Sequence, residues 1–135
     1  MLKKILSITV ALGLAASFSL GATKSVSFTY PKDGAEVPTT FKAKFAEKGM
    51  KITPAGKDID DKTKGHFHII IDGAPVAEGQ VIPTDGTHLH FGKGQTESGD
   101  ITLTPGKHTL TLQMADGLHR AFGADLTKTI TVTVK

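Results

Sequence analysis

Four of the six histidines fall in two His-x-His pairs: His66 and His68 in "GHFHIIIDG", His88 and His90 in "THLHFG". In an extended strand, residues two apart share a face and lie roughly 6.6 Å apart. Each pair can therefore turn two imidazoles the same way, while Phe67, Ile69 and Ile71, or Leu89 and Phe91, take the other side. Two such strands side by side, about 4.8 Å apart, would gather four rings. Each ring could place a nitrogen about 2.0 Å from a shared ion. An imidazole-only set suits Cu(II), Zn(II) or Ni(II), and the affinity order of divalent ions puts copper first. The chain has no cysteine, which excludes thiolate ligands and thiol catalysis. Met50 and Met114 read as core residues, so Cu(I) has less support. Spacing alone leaves two readings open, a metal site or two strand faces that carry imidazoles.

His119 is the next candidate ligand. It sits in "ADGLHRAFGAD" (115–125), a loop between the last two strands that could deliver a side chain to a neighbouring face. His108 shares the parity of Leu110 and Leu112. It is expected to point inward at a strand start, bonding a carbonyl or supporting another histidine. Glu97 follows the second pair and could ligate or orient a ring. Asp72 suits the turn after the first pair, and Asp116 and Asp125 read as solvated turn formers flanking the His119 loop. "GKGQTESG" (92–99) lacks the spacing of a phosphate-binding loop. No Gly-x-Ser-x-Gly elbow supports a hydrolase triad.

The elements that must position these residues read as strands. "LTKTITVTVK" (126–135) alternates, with Leu126, Ile130, Val132 and Val134 on one face. "KHTLTLQMAD" (107–116) places Leu110, Leu112 and Met114 inward, and Thr109, Thr111 and Gln113 outward. "SVSFTY" (25–30) aligns Val26, Phe28 and Tyr30, and "TTFKAKFAEKG" (39–49) aligns Phe41, Ala43 and Phe45. Pro, Gly and Asp turn signals separate the runs, at 31–38, 53–58, 72–79, 83–87 and 104–107. Residues 51–65 are the least regular and read as a long loop. Short strands at this spacing predict an all-β fold, an antiparallel sandwich.

The N-terminal "MLKKILSITVALGLAASFSLGA" has two lysines, an apolar run and small residues, the layout of a secretory signal peptide. Its apolar run is shorter than the roughly 20 residues of a membrane span. Cleavage after Ala22 would leave a single domain over 23–135, periplasmic or secreted, with no membrane anchor. Without Lys3 and Lys4 the 16 basic residues fall to 14 against 13 acidic, a net charge of +1. No basic cluster with interleaved aromatics is present, which argues against a nucleic-acid partner.

"GHFHIIIDG", "THLHFGKGQTE" and "LTPGKHTLTLQMADGLH" together resemble a family of small exported bacterial proteins of unassigned function. The resemblance covers roughly residues 27–134, and "HLHFGKGQTE" is its most specific part. It implies an immunoglobulin-like β-sandwich in the periplasm, and it offers no enzyme activity to carry over. It singles out His66, His68, His88, His90, Gln95, Thr96, Glu97, His108 and His119; Phe67 stands where the family often has a third histidine. The combined expectation is a periplasmic protein that carries or buffers a metal ion, copper before zinc or nickel, and hands it to another periplasmic protein. Its ligands would be His66, His68, His88, His90 and His119, with His108 and Glu97 behind them. One alternative is a binding or adhesion module without metal. A weaker one is a copper enzyme similar to superoxide dismutase, which shares a His-x-His pair in a β-sandwich but has disulfide cysteines that this chain lacks.

Overall fold

The structure is a computed structural model describing residues 23–135; the signal-peptide reading of residues 1–22 lies outside the described residues. Among the described residues ten strands form in chain order. They are β1 (Ser25–Tyr30), β2 (Glu36–Val37), β3 (Thr40–Phe41), β4 (Lys44–Lys48), β5 (Lys51–Ile52), β6 (Lys64–Ile71), β7 (His88–Phe91), β8 (Ile101–Thr102), β9 (Gly106–Ala115) and β10 (Thr127–Val134). The main sheet has the order β2-β10-β9-β6, with β5 and β7 both pairing along the far edge of β6. The β1–β4 pair and the β3–β8 pair supply the opposing strands. The fold is an all-β, immunoglobulin-like sandwich. Its long pairings are antiparallel, and two short edge pairings, β10 with β2 and β5 with β6, are parallel.

The core follows the alternation in the sequence. Val26, Phe28, Phe41, Ala43 and Phe45 meet Phe67, Ile69, Ile71, Phe91, Leu110, Leu112, Met114, Ile130, Val132 and Val134 in one buried cluster. Phe45 lies with its ring centroid 4.8 Å from Phe67 and 5.0 Å from Phe91, joining the two layers where the histidine strands run. Burying a side chain such as Ile69 stabilises the fold by roughly 1.5–3 kcal/mol. Tyr30 departs from the expected inward face. The β1–β4 register shifts between Phe28 and Tyr30, and the Tyr30 ring is turned out.

A second departure matters more for the site. Thr111 and Gln113 do face away from the core, yet they are buried. The outer face of the main sheet is covered by the 72–87 connection and the 116–126 turn. Ile82, Ala115 and Ala121 form a small second core there, with Val76 packed against it. Gln113 pins this layer down. Its side chain accepts a hydrogen bond from the Val76 N–H at 2.9 Å and donates to the Val76 carbonyl at 2.7 Å. The two covering segments are also laced to each other, through Gly79 N–H to the Ala121 carbonyl and Ile82 N–H to the His119 carbonyl. Short-sighted alternation cannot foresee this layer, because long connections carry it.

Gln113→Ala removes both bonds at a buried position. It is expected to cost about 2 kcal/mol in urea unfolding and to speed amide exchange across residues 76–82 more than in β9.

Candidate metal centre

Three histidines reach the outer face from the sheet itself. β6 is central, and its alternation sends Phe67, Ile69 and Ile71 into the sandwich core and His66 and His68 to the other side. β7 runs antiparallel to β6 with His90 opposite His68 and His88 opposite Ile70. This register decides which member of the second pair joins the first. His90 lies beside His68, whereas His88 is one step further from His66. Its Nδ1 bonds instead to the Asp85 carboxylate at 2.9 Å. His88, expected as a ligand, is therefore placed outside the cluster.

The His90 ring leans over Gly92, two residues on along the same face. A Cβ at Gly92 would overlap His90 Cε1 and Nε2. The glycine thus provides the space that lets the ring lean toward His66. Gly92 stands in the turn just past the end of β7, and with no Cβ it admits this close approach. On the other side of β6, His66 is paired with the small Ala115, which leaves room above it.

The fourth ring comes from the loop expected to supply it. His119 adopts a left-handed backbone (φ 63°), a conformation that costs a non-glycine residue on the order of 1 kcal/mol. Its Nδ1 lies 3.2 Å from His66 Nε2, and His68 Nε2 lies 3.0 Å from the same atom. His66, His68, His90 and His119 each offer one nitrogen to a common centre, and these four atoms lie within 4.8 Å of one another. His66 and His68 are fully buried, and His90 and His119 are partly exposed.

The electrostatics keep the inner rings neutral. Burial, reinforced by His90 and His119, pushes His66 down to about 4, against a smaller opposing pull from Asp116. Burial and the surrounding histidines push His68 to about 2. Burial, with His119, also lowers His90. Neutral imidazoles retain a lone pair for a metal. Three buried ring nitrogens, His66 Nδ1, His68 Nδ1 and His90 Nε2, have no hydrogen-bond partner among the described residues. Buried polar atoms are ordinarily paired, so such a group calls for an explanation.

Residues 43–135 match the family described as Domain of unknown function (DUF4399). The chain belongs to this family. The matched segment of this DUF4399 protein contains all four clustered histidines. No curated protein matches the chain. A solved structure similar to it is the X-ray structure of the endo-beta-1,4-mannanase from Thermotoga petrophila, with 16% sequence identity and a TM-score of 0.43. That similarity covers 83% of this chain and only 20% of the mannanase chain.

Two other expected candidates lie elsewhere. Glu97 is exposed and sits 3.9 Å from Lys44, at a bridge to the opposing layer of the sandwich. His108 is held at the far end of β9. Its Nδ1 meets the Asp72 carboxylate at 2.6 Å, and its Nε2 meets the Thr104 carbonyl at 2.8 Å. Carbonyl bonding by His108 was expected; support of another histidine is not what it does. Gln95 and Thr96, singled out by the family resemblance, serve the 92–97 turn. The Gln95 side chain accepts from Lys93 N–H, and the Thr96 carbonyl accepts from Phe45 N–H. Sequence reasoning missed the weight of Gly92 and Asp116. The signal for Gly92 was a glycine two residues after His90, just past the end of its strand. Asp116 is buried, not a solvated turn former.

Two outcomes are expected from this geometry. Gly92→Ala leaves the fold within about 1 kcal/mol of wild type, since only a ring tip must move, but turns His90 away. The His90–His66 ring NOE should vanish while the His66–His68 NOE stays. The second concerns pH. Donation of its Nδ1–H to the Asp72 carboxylate, then bonding to the Thr104 carbonyl, raises His108 above its ordinary 6.5. Partial burial works to raise Asp72, but the His108 and Thr109 hydrogen bonds outweigh it and hold it below 3.8. A raised histidine contributes stability in full below its unfolded value and loses it as pH climbs through its folded value. A depressed carboxylate contributes above its unfolded value and loses it as pH falls through its folded value. The pair thus stabilises most between about pH 4 and 6.5. The melting-temperature deficit of His108→Gln should be larger at pH 5.5 than at pH 9.

Proposed function

We propose that this DUF4399 protein binds one divalent transition-metal ion, Cu(II) first, through His66, His68, His90 and His119, and carries or buffers it. The observation that carries the reading is the convergence of four imidazole nitrogens within 4.8 Å in a largely buried pocket. The separations of 3.0 and 3.2 Å, with all four donors within 4.8 Å, are short enough for one ion to draw the four rings together, and the affinity order of divalent ions for imidazole sets puts Cu(II) first. All four donors come from the protein, which favours holding an ion over catalysis at an open position. The two inner histidines are fully buried, so they offer no surface to an adhesion partner. The leader-like composition of residues 1–22 supports export, and we place the carrier in the periplasm.

Calorimetric titration of the 23–135 chain with Cu(II), Zn(II) and Ni(II) tests this. The expected result is one ion per chain, with Cu(II) tightest. A single His66→Ala, His68→Ala, His90→Ala or His119→Ala change should weaken binding at least 10-fold, on the scale seen when metal-site partners are lost. His88→Ala and His108→Ala should bind as wild type does. Binding weaker than about 10 μM, or equal binding after all four cluster histidines are replaced, would overturn the proposal.

A further inference from the structure

The four rings are held in two different ways. His66, His68 and His90 project from paired strands of one sheet. His119 projects from a five-residue turn, 116–120, that has no strand partner beyond single bridges at Val81–Arg120 and Ala115–Ala121. What holds that turn is Asp116. It is 1% exposed, and both of its carboxylate oxygens are used. Oδ1 accepts from Leu118 N–H at 2.9 Å and from Arg120 N–H at 3.0 Å, the residues on either side of His119. Oδ2 accepts from Arg120 Nε at 2.7 Å and from Lys62 Nζ at 3.0 Å. The Asp116 backbone closes the same loop, with its carbonyl accepting from His119 N–H and its N–H donating to the Arg120 carbonyl. One buried side chain thus fixes the backbone before and after a histidine in the left-handed conformation.

The second support comes from the 53–62 loop. Gly117 packs so closely under it that a Cβ would lie 2.5 Å from the Lys57 carbonyl and 3.0 Å from Ile59 Cγ2. Gly56 N–H donates to the Gly117 carbonyl, and Arg120 reaches the Ile59 carbonyl at 3.2 Å. Ala55 N–H donates to the carbonyl of Gly92, the residue beneath the His90 ring. The loop that braces the His119 turn is therefore also tied to the strand that carries His90.

We infer that Asp116 is the positioning residue for His119, and that His119 is the separable fourth ligand closing a site whose other three ligands are fixed by the sheet. The inference rests on the metal-binding reading for its ligand, and on the hydrogen bonds above for its geometry. Without the carboxylate the turn loses the two N–H acceptances and both cationic clamps together. The sheet histidines keep their places, since none of them hydrogen-bonds Asp116 among the described residues, and His66 loses only the through-space pull of the carboxylate.

The test has a metal-free arm and a Cu(II) arm on the 23–135 chain. In the metal-free arm, Asp116→Ala should lose the His119–His66 ring NOE and keep the His66–His68 and His66–His90 NOEs. Asp116→Asn, which keeps an oxygen for the two N–H groups, should retain the His119–His66 NOE. In the Cu(II) arm, Asp116→Ala should weaken binding by about 10- to 100-fold and remove one nitrogen from the superhyperfine pattern, matching His119→Ala. The double variant should be no weaker than either single one, because both lose the same contact. Retention of the NOE in Asp116→Ala, or an additive loss in the double variant, overturns the inference. Loss of the NOE in a protein whose wild type takes up no Cu(II) overturns the metal reading while leaving Asp116 as the residue that places His119. Should Asp116→Ala unfold, the same comparison is made with Arg120→Ala, which removes one clamp from a half-buried position and should weaken the NOE.

Discussion

The pairing of His68 with His90 across β6 and β7 is the constraint on which the site depends. A slip of one residue would exchange the faces of β7, sending His90 into the sandwich core and Phe91 into the outer pocket. The core forbids this. Phe67 and Phe91 both pack on Phe45 from the opposing layer, and β9 locks β6 from its other edge over six paired residues. The histidines are thus positioned by residues on the other side of the sheet, which make no contact with the site. Hydrophobic burial supplies the energy, and strand alternation passes the register through to the outer face.

That outer face is an unusual place for imidazoles. Covered by the 72–87 and 116–126 segments, it is as dry at His66 and His68 as the main core. An unpaired buried polar atom costs about 1–3 kcal/mol, and three ring nitrogens are in that state. Leucine or alanine at these positions would avoid the penalty. A fold that tolerates it is set against its own stability at one spot, the pattern expected where function competes with packing. Neutral rings close together, with no counter-charge bonded to them, are also ready to accept a cation without first giving up a proton.

Two kinds of element share the work. Paired strands hold three rings with little freedom, because moving one would break ladder bonds and core contacts together. A turn organised by a single buried carboxylate holds the fourth. The partial exposure of His90 and His119, against the full burial of His66 and His68, gives the pocket an inner and an outer side. The covering layer is tied to the sheet by the buried Gln113 side chain through its two bonds to Val76.

The sequence by itself determined the long strands, the core and the face on which the strand histidines lie, but not the two-residue strands β2, β5 and β8. Alternation of period two in 107–116 and 126–135 marked Leu110, Leu112, Met114, Ile130, Val132 and Val134, all of them buried. Parity separated Phe67, Ile69 and Ile71 from His66 and His68, since side chains of a strand alternate by covalent geometry alone. Tertiary structure alone decided which histidines meet. His88 and His90 are equivalent by parity, and only the β6–β7 register brings His90 beside the first pair and leaves His88 with Asp85. His108 and Glu97 are near the motifs in sequence and far from the cluster in space. His119 and Asp116 are distant in sequence and brought in by a turn. Nor could the sequence show that the histidine face is buried, because its cover is built from connections whose paths depend on hydrogen bonds such as Gln113 to Val76, made between residues 37 apart. Local spacing sets which way a side chain points; what it points at is set by pairing across the chain.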